Sequence, residues 1–438
     1  DIEWGQAWEI REAIREVKSA GIFTTAFMEG GENIHYYLAS PCDEIIMIPS
    51  GQITLRGIFS EVTFFKGTLE KLRIKAELEH IGEYKSAADI FTRKEMSEPH
   101  REEINDILDS LFNRLLDDIS KDRKIEKDDL RKIIDKGSFF GDEAKEAGLI
   151  DKTLYEDELE DLYESRLEKR PSFAPASRYR ALKLVDSSLL ELFRPCPQIA
   201  LLYATGTIIS GDSAEYSATG TRAGARTITS ALRRVREDRS IQGIVFRVIS
   251  PGGSALASDL IWREMYLMRK ANNGGEDEGS NKPIIVSMGD VAASGGYYIS
   301  VPADLIFASP VTLTGSIGVI GGKINLEGLY DVLGLKVEVI TRGKSADVDS
   351  PARGYTPVEK KRLREEIEAV YSDFVGKVAK GRGISESDVE KVARGRVWLG
   401  EQAVEKGLID RTGGLLAAID DVKERAGIPK EEKVILDI

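Results

Sequence analysis

The stretch Val286-Ser-Met-Gly-Asp-Val-Ala-Ala-Ser-Gly-Gly-Tyr-Tyr298 decides the fold of this chain. The apolar, β-branched run Ile284–Met288 leads into it, as expected for a short strand buried on both faces of a sheet. A turn of small residues follows, and Ser294 stands where a helix should begin. This succession of strand, turn and helix is typical of α/β folds with a largely parallel sheet.

The alternation of strands and helices continues on both sides of this stretch. Further strands are predicted at Ile22–Met28, Glu44–Ile48, Ile199–Tyr203, Gly243–Val248, Leu305–Ala308 and Val337–Thr341. Helices are predicted at Trp8–Ala20, Pro99–Lys121, Thr227–Asp238, Ala255–Ala271, Leu326–Leu333 and Pro357–Lys380. We therefore expect an α/β protein whose largely parallel sheets carry helices on both sides.

The second half of the chain repeats the first. Three blocks match in the same order at nearly the same offset: Tyr36–Asp43 with Tyr297–Asp304 at 261, and Lys85–Ala87 with Lys344–Ala346 and Gly141–Asp151 with Gly400–Asp410 at 259. One net difference of two residues, between residues 43 and 85, reconciles the offsets. Ordered matches at a fixed spacing indicate an internal duplication.

The duplication divides the chain into three parts. We predict a first repeat over residues 1–154, a connection over 155–197 and a second repeat over 198–438. The second repeat has strands ahead of Pro251-Gly-Gly253, whereas the first opens at the helix that corresponds to the stretch after it. We therefore expect the first repeat to be truncated at its N terminus and the natural chain to be longer.

Composition excludes several classes of function. The 438 residues carry a net charge of −13, which argues against general nucleic-acid binding because that needs a basic surface. With only three histidines, a His-rich metal site is not expected, and neither a P-loop nor an H-E-x-x-H motif occurs. Two cysteines, Cys42 and Cys196, allow one disulfide at most. The sequence contains no window of 18 consecutive apolar residues, so it predicts no transmembrane helix, and no signal peptide is visible at the start.

Two turns between a strand and a helix carry the chemistry-bearing residues. Small neighbours leave Ser294 sterically open, and free amides at a helix start can stabilise an oxyanion, although a serine there can equally cap the helix. In Arg247–Ser254 the Gly-Gly pair lets the backbone approach a ligand closely, although an ordinary turn would look the same. The two turns lie in one repeat, which favours the functional interpretation.

A nucleophilic serine needs a base. The G-x-S-x-G and S-x-x-K patterns are absent around Ser294, and all three histidines, His35, His80 and His100, fall in the first repeat. A buried lysine can serve instead, at a cost of roughly 4 kcal/mol to lower its pKa from about 10.4 to about 7–8. The candidates are Lys85 and its repeat partner Lys344, which share the sequence Lys-Ser-Ala, although this sequence also fits a shared structural turn.

Taken together, four segments resemble the signal peptide peptidase A (protease IV) family, in its double-length bacterial and plastid form. They are Ser250–Ser254, Met288–Tyr297, Leu313–Val319 and Tyr84–Ala87, and with the duplication the resemblance covers nearly the whole chain. The resemblance implies two tandem repeats of the ClpP/crotonase-like fold and a serine peptidase with a Ser–Lys dyad.

The resemblance also implies roles for single residues. Ser294 matches the nucleophile and Lys85 the general base, so that the second repeat would supply the serine and the first the lysine. Ser316 matches the serine that positions this lysine, and the amides of Gly295 and Gly253 match the oxyanion hole. Lys344 stands where single-length members carry their lysine and remains the alternative base. In the first repeat Asn33 corresponds to Ser294, so no second site is expected.

Further expectations follow from the family. It uses no metal or organic cofactor, acts on signal-peptide remnants and hydrophobic peptides, and forms homotetramers. It is membrane-associated with a soluble catalytic domain, at the bacterial inner membrane facing the periplasm or exterior or at the plastid thylakoid, through a segment absent from this chain. Two alternatives are a crotonase-like acyl-CoA enzyme, which would use Glu or Asp opposite a thioester, and a non-catalytic scaffold of the same fold. Neither explains why Ser294, Lys85 and Ser316 occur together.

Overall fold

A computed structural model describes residues 2–178, 196–214, 220–272, 282–342, 345–432 and 434–437. The first part of the chain forms α1 (Trp4–Ser19), β1 (Thr25–Met28), β2 (Gly31–Glu32), α2 (Asn33–Ala39), β3 (Glu44–Met47), β4 (Gln52–Thr54), α3 (Lys66–Lys71), β5 (Lys75–Ile81), α4 (Asp89–Thr92), α5 (Glu98–Arg123), α6 (Lys127–Lys136), β6 (Ser138–Phe140), α7 (Gly141–Glu146), β7 (Lys152–Thr153) and α8 (Leu159–Leu167).

The second part begins after the connection between the repeats. It forms β8 (Gln198–Thr205), β9 (Thr207–Ile209), β10 (Arg222–Gly224), α9 (Ala225–Glu237), β11 (Ile241–Ser250), α10 (Ala255–Asn272), β12 (Ile284–Ala293), α11 (Gly295–Ser300), β13 (Leu305–Ala308), β14 (Leu313–Gly315), β15 (Val319–Asn325), α12 (Glu327–Leu333), α13 (Pro357–Arg382), α14 (Glu386–Val392), β16 (Val397–Leu399), α15 (Gly400–Glu405), β17 (Arg411–Thr412), α16 (Leu415–Arg425) and β18 (Ile435–Asp437).

The chain folds into two compact units, each with its own apolar core. Unit 1 comprises Asp1–Ile58, Leu111–Gln198 and Glu431–Ile435, and unit 2 comprises Phe59–Ser110, Ile199–Lys430 and Leu436–Ile438. In unit 1, β1, β3 and β7 form a parallel sheet. The repeat boundaries given above describe equivalence in sequence and stay a prediction, while the units describe which residues pack together.

The large sheet of unit 2 is organised around β12. Its strands follow the order β16-β14-β12-β11-β8-β18, with β13 also beside β12 and β17 beside β13. Residues Ile285–Met288 pair with β13, whereas Val291–Ala293 pair with β14, both in parallel. The strand therefore changes its neighbour along its length, and its carboxyl end, which leads to Ser294, lies between β11 and β14. These apolar parallel strands confirm the predicted α/β class.

Equivalent hydrogen bonds recur in the two repeats. The phenol of Tyr36 donates to the carbonyl of Leu149 at 2.8 Å, and the phenol of Tyr297 donates to the carbonyl of Leu408 at 2.7 Å. Each of these tyrosines lies in the short helix that follows the equivalent strand. Two long helices of 26 residues, α5 and α13, also stand at an offset of 259. The duplication seen in the sequence is thus also a duplication of tertiary contacts.

One predicted strand is wrong. The run Val337–Thr341 was expected to be a strand because it is β-branched and apolar, but it is irregular and exposed. A strand requires a partner for its backbone groups, and no described strand of this chain runs beside it. Cys42 and Cys196 are both free, so the one disulfide that their number allowed is not formed.

Candidate active site

Ser294 occupies a strained position between β12 and α11. Its backbone has φ 53° and ψ −117°, a conformation that residues with a side chain rarely adopt and that costs about 1–3 kcal/mol. The Ser294 amide donates to the carbonyl of Gly315 at 2.8 Å, which ties the turn to β14. The Ser294 side chain makes no capping bond to the helix, so the helix-cap interpretation of this serine is wrong.

The side chain of Lys85 reaches Ser294 within unit 2. The Lys85 Nζ lies 3.0 Å from the Ser294 Oγ and 2.9 Å from both the Oγ and the carbonyl oxygen of Ser316. Lys85 follows β5 and directly precedes a single 3₁₀ turn, Ser86–Ala88. Ser294, Lys85 and Ser316, which lie up to 231 residues apart in sequence, therefore meet at one point.

Three glycines make room for this lysine. A Cβ atom on Gly395 would lie 2.5 Å from the Lys85 Cβ, and one on Gly318 would lie 3.0 Å from the Lys85 Cδ. Gly82 packs against the backbone of Arg394, where a Cβ would approach to 2.2 Å, and it has a φ of 100°. Larger residues at these positions would displace either the lysine or the chain that carries it.

Burial lowers the pKa of Lys85 to about 8 because the charged ammonium loses its hydration, while the nearby Glu103 carboxylate acts in the opposite direction. Lys85 is only 8% exposed and Glu103 only 6%. Glu103 lies in α5 and accepts a hydrogen bond of 2.6 Å from the amide of Val397. Its own pKa is raised to about 7, chiefly by desolvation. The sequence analysis missed Glu103 because no motif marks it.

Two backbone amides lie beside Ser294. Gly295 is the first residue of α11, so its N–H has no partner within the helix. Ile208 and Gly253 form an isolated β-bridge. In this bridge the amide of Ile208 donates to the carbonyl of Gly252, and the amide of Ser254 donates to the carbonyl of Ile208, so the Gly253 N–H takes no part in it. A Cβ on Gly295 would lie 3.3 Å from the Gly253 nitrogen, so the two amides are neighbours. This arrangement has the form of an oxyanion hole.

A cleft of about 560 Å³ opens over these residues. Its polar lining contains Lys85, Ser294 and Ser316. Its other lining is largely apolar and comes from Pro251, Ala255, Val319, Ile320, Val370, Phe374 and Val397. A hydroxyl, a poorly solvated amine and paired amides at the floor of an apolar cleft are a chemistry suited to acyl transfer.

The remaining sequence candidates are one lysine and three histidines. Lys344, the alternative base, falls outside the described residues. His80 bonds the carbonyl of Gly82, and His35 accepts the amide of Glu32 at the start of α2. His100 packs against the ring of Phe64. Ser294 therefore has Lys85, and neither His80 nor His100, at hydrogen-bond distance in unit 2.

The equivalent turn of the first repeat has a different composition. Asn33 stands at the Ser294 position, and its side chain bonds the carbonyl of Gly57 and the amide of Arg56. At the same offset of 261, fully buried Leu55 replaces Ser316, a difference that the sequence analysis did not use. The first repeat therefore offers neither a nucleophilic oxygen nor a polar anchor for a lysine.

Comparison with known proteins places this chain in a family. The model of peptidase family S49 matches residues 16–168, which cover most of the first repeat and the start of the connection, and residues 276–429, which lie in the second repeat. The chain belongs to peptidase family S49. The two matched segments confirm the tandem repeat, and the family has the ClpP/crotonase-like fold that the resemblance implied.

The chain is similar to several known proteins over nearly its whole length. It is 36% identical over 99% of its length to "Serine protease SPPA, chloroplastic" of Arabidopsis thaliana. It is 33% and 31% identical, over 98% and 94% of its length, to the proteins named "Protease 4" of Salmonella typhi and Haemophilus influenzae. The chain spans 63% of the plant relative and 69% and 66% of the two bacterial relatives.

Two features are absent from the described residues, a membrane-spanning helix and a cluster of metal ligands. No helix in the ranges given above is long and apolar enough to cross a membrane. Within the same ranges, no three His, Cys, Asp or Glu side chains are grouped so that they could hold a metal ion.

Proposed function

We propose that this chain is the catalytic part of a serine endopeptidase that hydrolyses peptide bonds through a dyad of Ser294 and Lys85. The observation that carries the proposal is the distance of 3.0 Å between the Ser294 Oγ and the amine of a buried lysine. Membership of peptidase family S49 supports the same reaction class. The strained backbone of Ser294 is a second supporting feature because strain of this kind clusters at active sites.

In the first half of the reaction, the neutral amine of Lys85 accepts the proton of the Ser294 hydroxyl as the oxygen attacks the substrate carbonyl. With a pKa of about 8, about one tenth of the lysine is neutral at pH 7, whereas an ordinary lysine would be almost wholly protonated. The negative charge that develops on the carbonyl oxygen is stabilised by the N–H groups of Gly295 and Gly253.

In the second half, the protonated Lys85 donates its proton to the leaving amine, and the C–N bond breaks. The neutral lysine then accepts a proton from water as the water oxygen attacks the acyl carbon. The ester C–O bond breaks, the peptide leaves with a new carboxyl group, and Lys85 returns its proton to the Ser294 oxygen. Throughout both steps, the Oγ and carbonyl of Ser316 hold the lysine amine in place, each at 2.9 Å. No bound metal ion or organic cofactor takes part in these steps.

The substrates we propose are cleaved signal peptides and other hydrophobic peptides. The apolar lining of the cleft, contributed by residues such as Val319, Ile320 and Phe374, suits side chains of that kind. A relative from Enterococcus faecium, 38% identical over 44% of the chain, is named as a putative signal peptide peptidase. We further propose that this protein is a membrane-associated homotetramer with its catalytic domain in the periplasm, at the exterior or at the thylakoid.

The dyad is tested by comparing five proteins on a Leu-rich fluorogenic peptide: the unchanged chain and the variants Ser294→Ala, Lys85→Ala, Ser316→Ala and Lys344→Ala. We expect Ser294→Ala and Lys85→Ala to lose at least about 10³-fold in kcat, and Ser316→Ala to lose about 10- to 100-fold. Lys344→Ala is the matched control and should retain full activity. Circular dichroism and thermal unfolding check that each variant folds.

A fluorophosphonate probe provides a second readout that does not depend on the choice of peptide. It should label Ser294 in the unchanged chain and in Lys344→Ala, and fail to label Lys85→Ala. Labelling that survives in Lys85→Ala but disappears in Lys344→Ala would move the base to the second repeat. Absence of labelling in the folded, unchanged chain would favour a non-catalytic scaffold or an acyl-CoA enzyme instead.

A further inference from the structure

The two amides of the proposed oxyanion hole belong to two different segments of unit 2. Gly295 is the first residue of α11, whereas Gly253 lies two residues ahead of α10. A Cβ atom on Gly252 would lie 2.7 Å from the Gly295 nitrogen, and one on Gly295 would lie 2.5 Å from the Ser258 Oγ. The starts of α10 and α11 therefore touch largely through glycine backbone, which has no side chain to hold their spacing.

One helical turn further along, the phenol of Tyr298 joins α11 to both neighbouring helices. Its oxygen lies 3.0 Å from the Oδ1 of Asp259 in α10 and 2.7 Å from the Oδ2 of Asp373 in α13. The Nζ of Lys377, also in α13, donates to the phenol oxygen at 2.7 Å and to Asp373 at 2.6 Å, and it pairs with Asp259. The ammonium thus compensates the two carboxylates between which the phenol is held.

Tyr298 lies close to the reacting groups. It is 5% exposed, its ring packs against that of Phe374 with the centroids 4.7 Å apart, and both residues line the active-site cleft. The amide of Tyr298 donates to the carbonyl of Ser294 at 2.9 Å, so one helical turn separates the two residues. Burial and the two carboxylates raise the pKa of Tyr298, so the phenol keeps its proton over the pH range in which Lys85 titrates.

The first repeat has the equivalent tyrosine but a different set of bonds. Tyr37 corresponds to Tyr298 at the offset of 261, and its phenol donates to Asp118 of α5 at 2.5 Å. The helix α1 is held instead by Arg11, whose guanidinium lies over the Tyr37 ring and bonds the Tyr37 carbonyl. Among the described hydrogen bonds of unit 1, none joins this phenol to α1. The bond from the phenol to the preceding helix is therefore made only in the repeat that contains Ser294.

We propose that Tyr298 is a positioning residue, whose bond to Asp259 fixes the spacing of α10 and α11 and so of the two oxyanion-hole amides. The inference rests on the proposed function of Ser294. Both amides must lie about 3 Å from one developing oxyanion, and a displacement of about 1 Å costs on the order of 10²-fold in rate. Because all six residues of α11 are buried, the helix stays packed without the phenol oxygen and loses only this tie to α10.

The test compares Tyr298→Phe with two controls that remove a phenol oxygen elsewhere. Tyr297→Phe changes the same helix, where the phenol bonds the carbonyl of Leu408, and Tyr37→Phe changes the equivalent position of the first repeat. In Tyr298→Phe we expect kcat on the Leu-rich fluorogenic peptide to fall about 10- to 30-fold, with KM within about twofold. Both controls should keep kcat within about twofold, even where their thermal midpoint falls.

A peptide aldehyde distinguishes positioning from a general loss of stability. The Ser294 oxygen adds to the aldehyde carbon, and the carbonyl oxygen of the resulting hemiacetal lies against the two amides, so the inhibition constant reports on the oxyanion hole. This constant should rise in Tyr298→Phe by the factor by which kcat/KM falls. The acidic limb of kcat/KM against pH should stay in place, because the contacts of Lys85 are unchanged.

Substitutions of Asp259 test the other end of the bond. The Asp259 side chain is 43% exposed, so these variants are expected to fold even if Tyr298→Phe does not. Asp259→Asn keeps an oxygen that accepts the phenol proton and should retain at least about half of kcat, whereas Asp259→Ala should lose about as much as Tyr298→Phe.

Three results would overturn the inference: full kcat in Tyr298→Phe or Asp259→Ala, equal losses in Tyr298→Phe and Tyr297→Phe, or an acidic limb that moves. The fluorophosphonate probe is applied to the unchanged chain in the same experiment. If Ser294 reacts with the probe and these expectations fail, the positioning role alone is wrong. A folded, unchanged chain that neither reacts nor cleaves the peptide would remove the proposed function and this inference together.

Discussion

The substitution Glu103→Gln tests how the charge around the active site sets its working pH. Glu103 is buried near Lys85, and its carboxylate is the nearby charge that raises the pKa of the lysine. Glutamine keeps the side-chain oxygen that accepts the amide of Val397, so the local contact is preserved. Because the negative charge is removed, we expect the pKa of Lys85 to fall and the acidic limb of kcat/KM to move to lower pH.

The size of the effect follows from the pKa of Lys85. With a pKa of about 8, about one tenth of the amine is neutral at pH 7, and kcat/KM should rise about tenfold between pH 7 and pH 9 or above. If the Glu103→Gln substitution lowers this pKa to about 7, the neutral fraction at pH 7 becomes about one half, a gain of about fivefold. Above pH 9 the two proteins should have equal activity, because the lysine is then largely neutral in both.

The assay is kcat/KM on a Leu-rich fluorogenic peptide from pH 5.5 to pH 10, at substrate concentrations well below KM. Since Glu103 has a pKa of about 7, its titration overlaps that of Lys85, and the unchanged chain should show a broader limb than the variant. The control is Glu102→Gln, which removes a neighbouring, half-exposed carboxylate that pairs with Arg396. An acidic limb that stays in place, or moves to higher pH, in Glu103→Gln would refute the electrostatic argument.

Three further predictions concern packing and the repeat. Gly318→Ala should lower both kcat, by about 10- to 100-fold, and thermal stability, because its Cβ would press on the Lys85 Cδ at 3.0 Å and on the Gly395 Cα at 2.9 Å, whereas the helical glycine change Gly376→Ala should leave kcat unaltered. Arg382→Met should lower the free energy of unfolding by about 3 kcal/mol in urea titrations, because it leaves a hydrogen-bonded carboxylate without its partner. Asn33→Ser should restore no activity to Ser294→Ala, since the first repeat lacks a polar anchor for a lysine.

Each of these has a result that contradicts it. Equal loss of kcat in both glycine variants would mean that the added methyl group acts through a general effect on the fold, and not through the position of the lysine. An unchanged denaturation midpoint in Arg382→Met would show that the ion pair contributes no net stability. Turnover recovered by Asn33→Ser would mean that the first repeat forms a site by itself.

Much of the architecture was predictable because it depends on local pattern. Buried parallel strands need continuous apolar residues, so β11, β12 and β13 were visible as short β-branched runs. The long helices α5 and α13 were visible by their length and periodicity. The duplication was also readable, since matching contacts such as those of Tyr36 and Tyr297 require matching residues.

The candidate site was predictable only in part. Ser294 could be selected from its strand–turn–helix setting, but its lack of a capping bond and its positive φ are visible only in three dimensions. Lys85 could be selected by a recurring Lys-Ser-Ala and by family resemblance, and neither indicates that burial lowers its pKa. Glu103 had no signal at all, because its effect arises from a helix that packs beside a lysine 18 residues earlier.

The segment of residues 336–341 shows where pattern alone fails. Its alternating valines have the composition of a strand, and in the equivalent place of the first repeat β5 is one. A strand exists only when a second backbone supplies its hydrogen bonds, and β5 has β15 beside it whereas this segment has no described partner. The sequence by itself therefore determined the α/β class, the repeat and a short set of candidates for the reactive side chains. Only the tertiary structure decided which strands pair and which lysine meets Ser294, because contacts between distant residues depend on how the segments pack together.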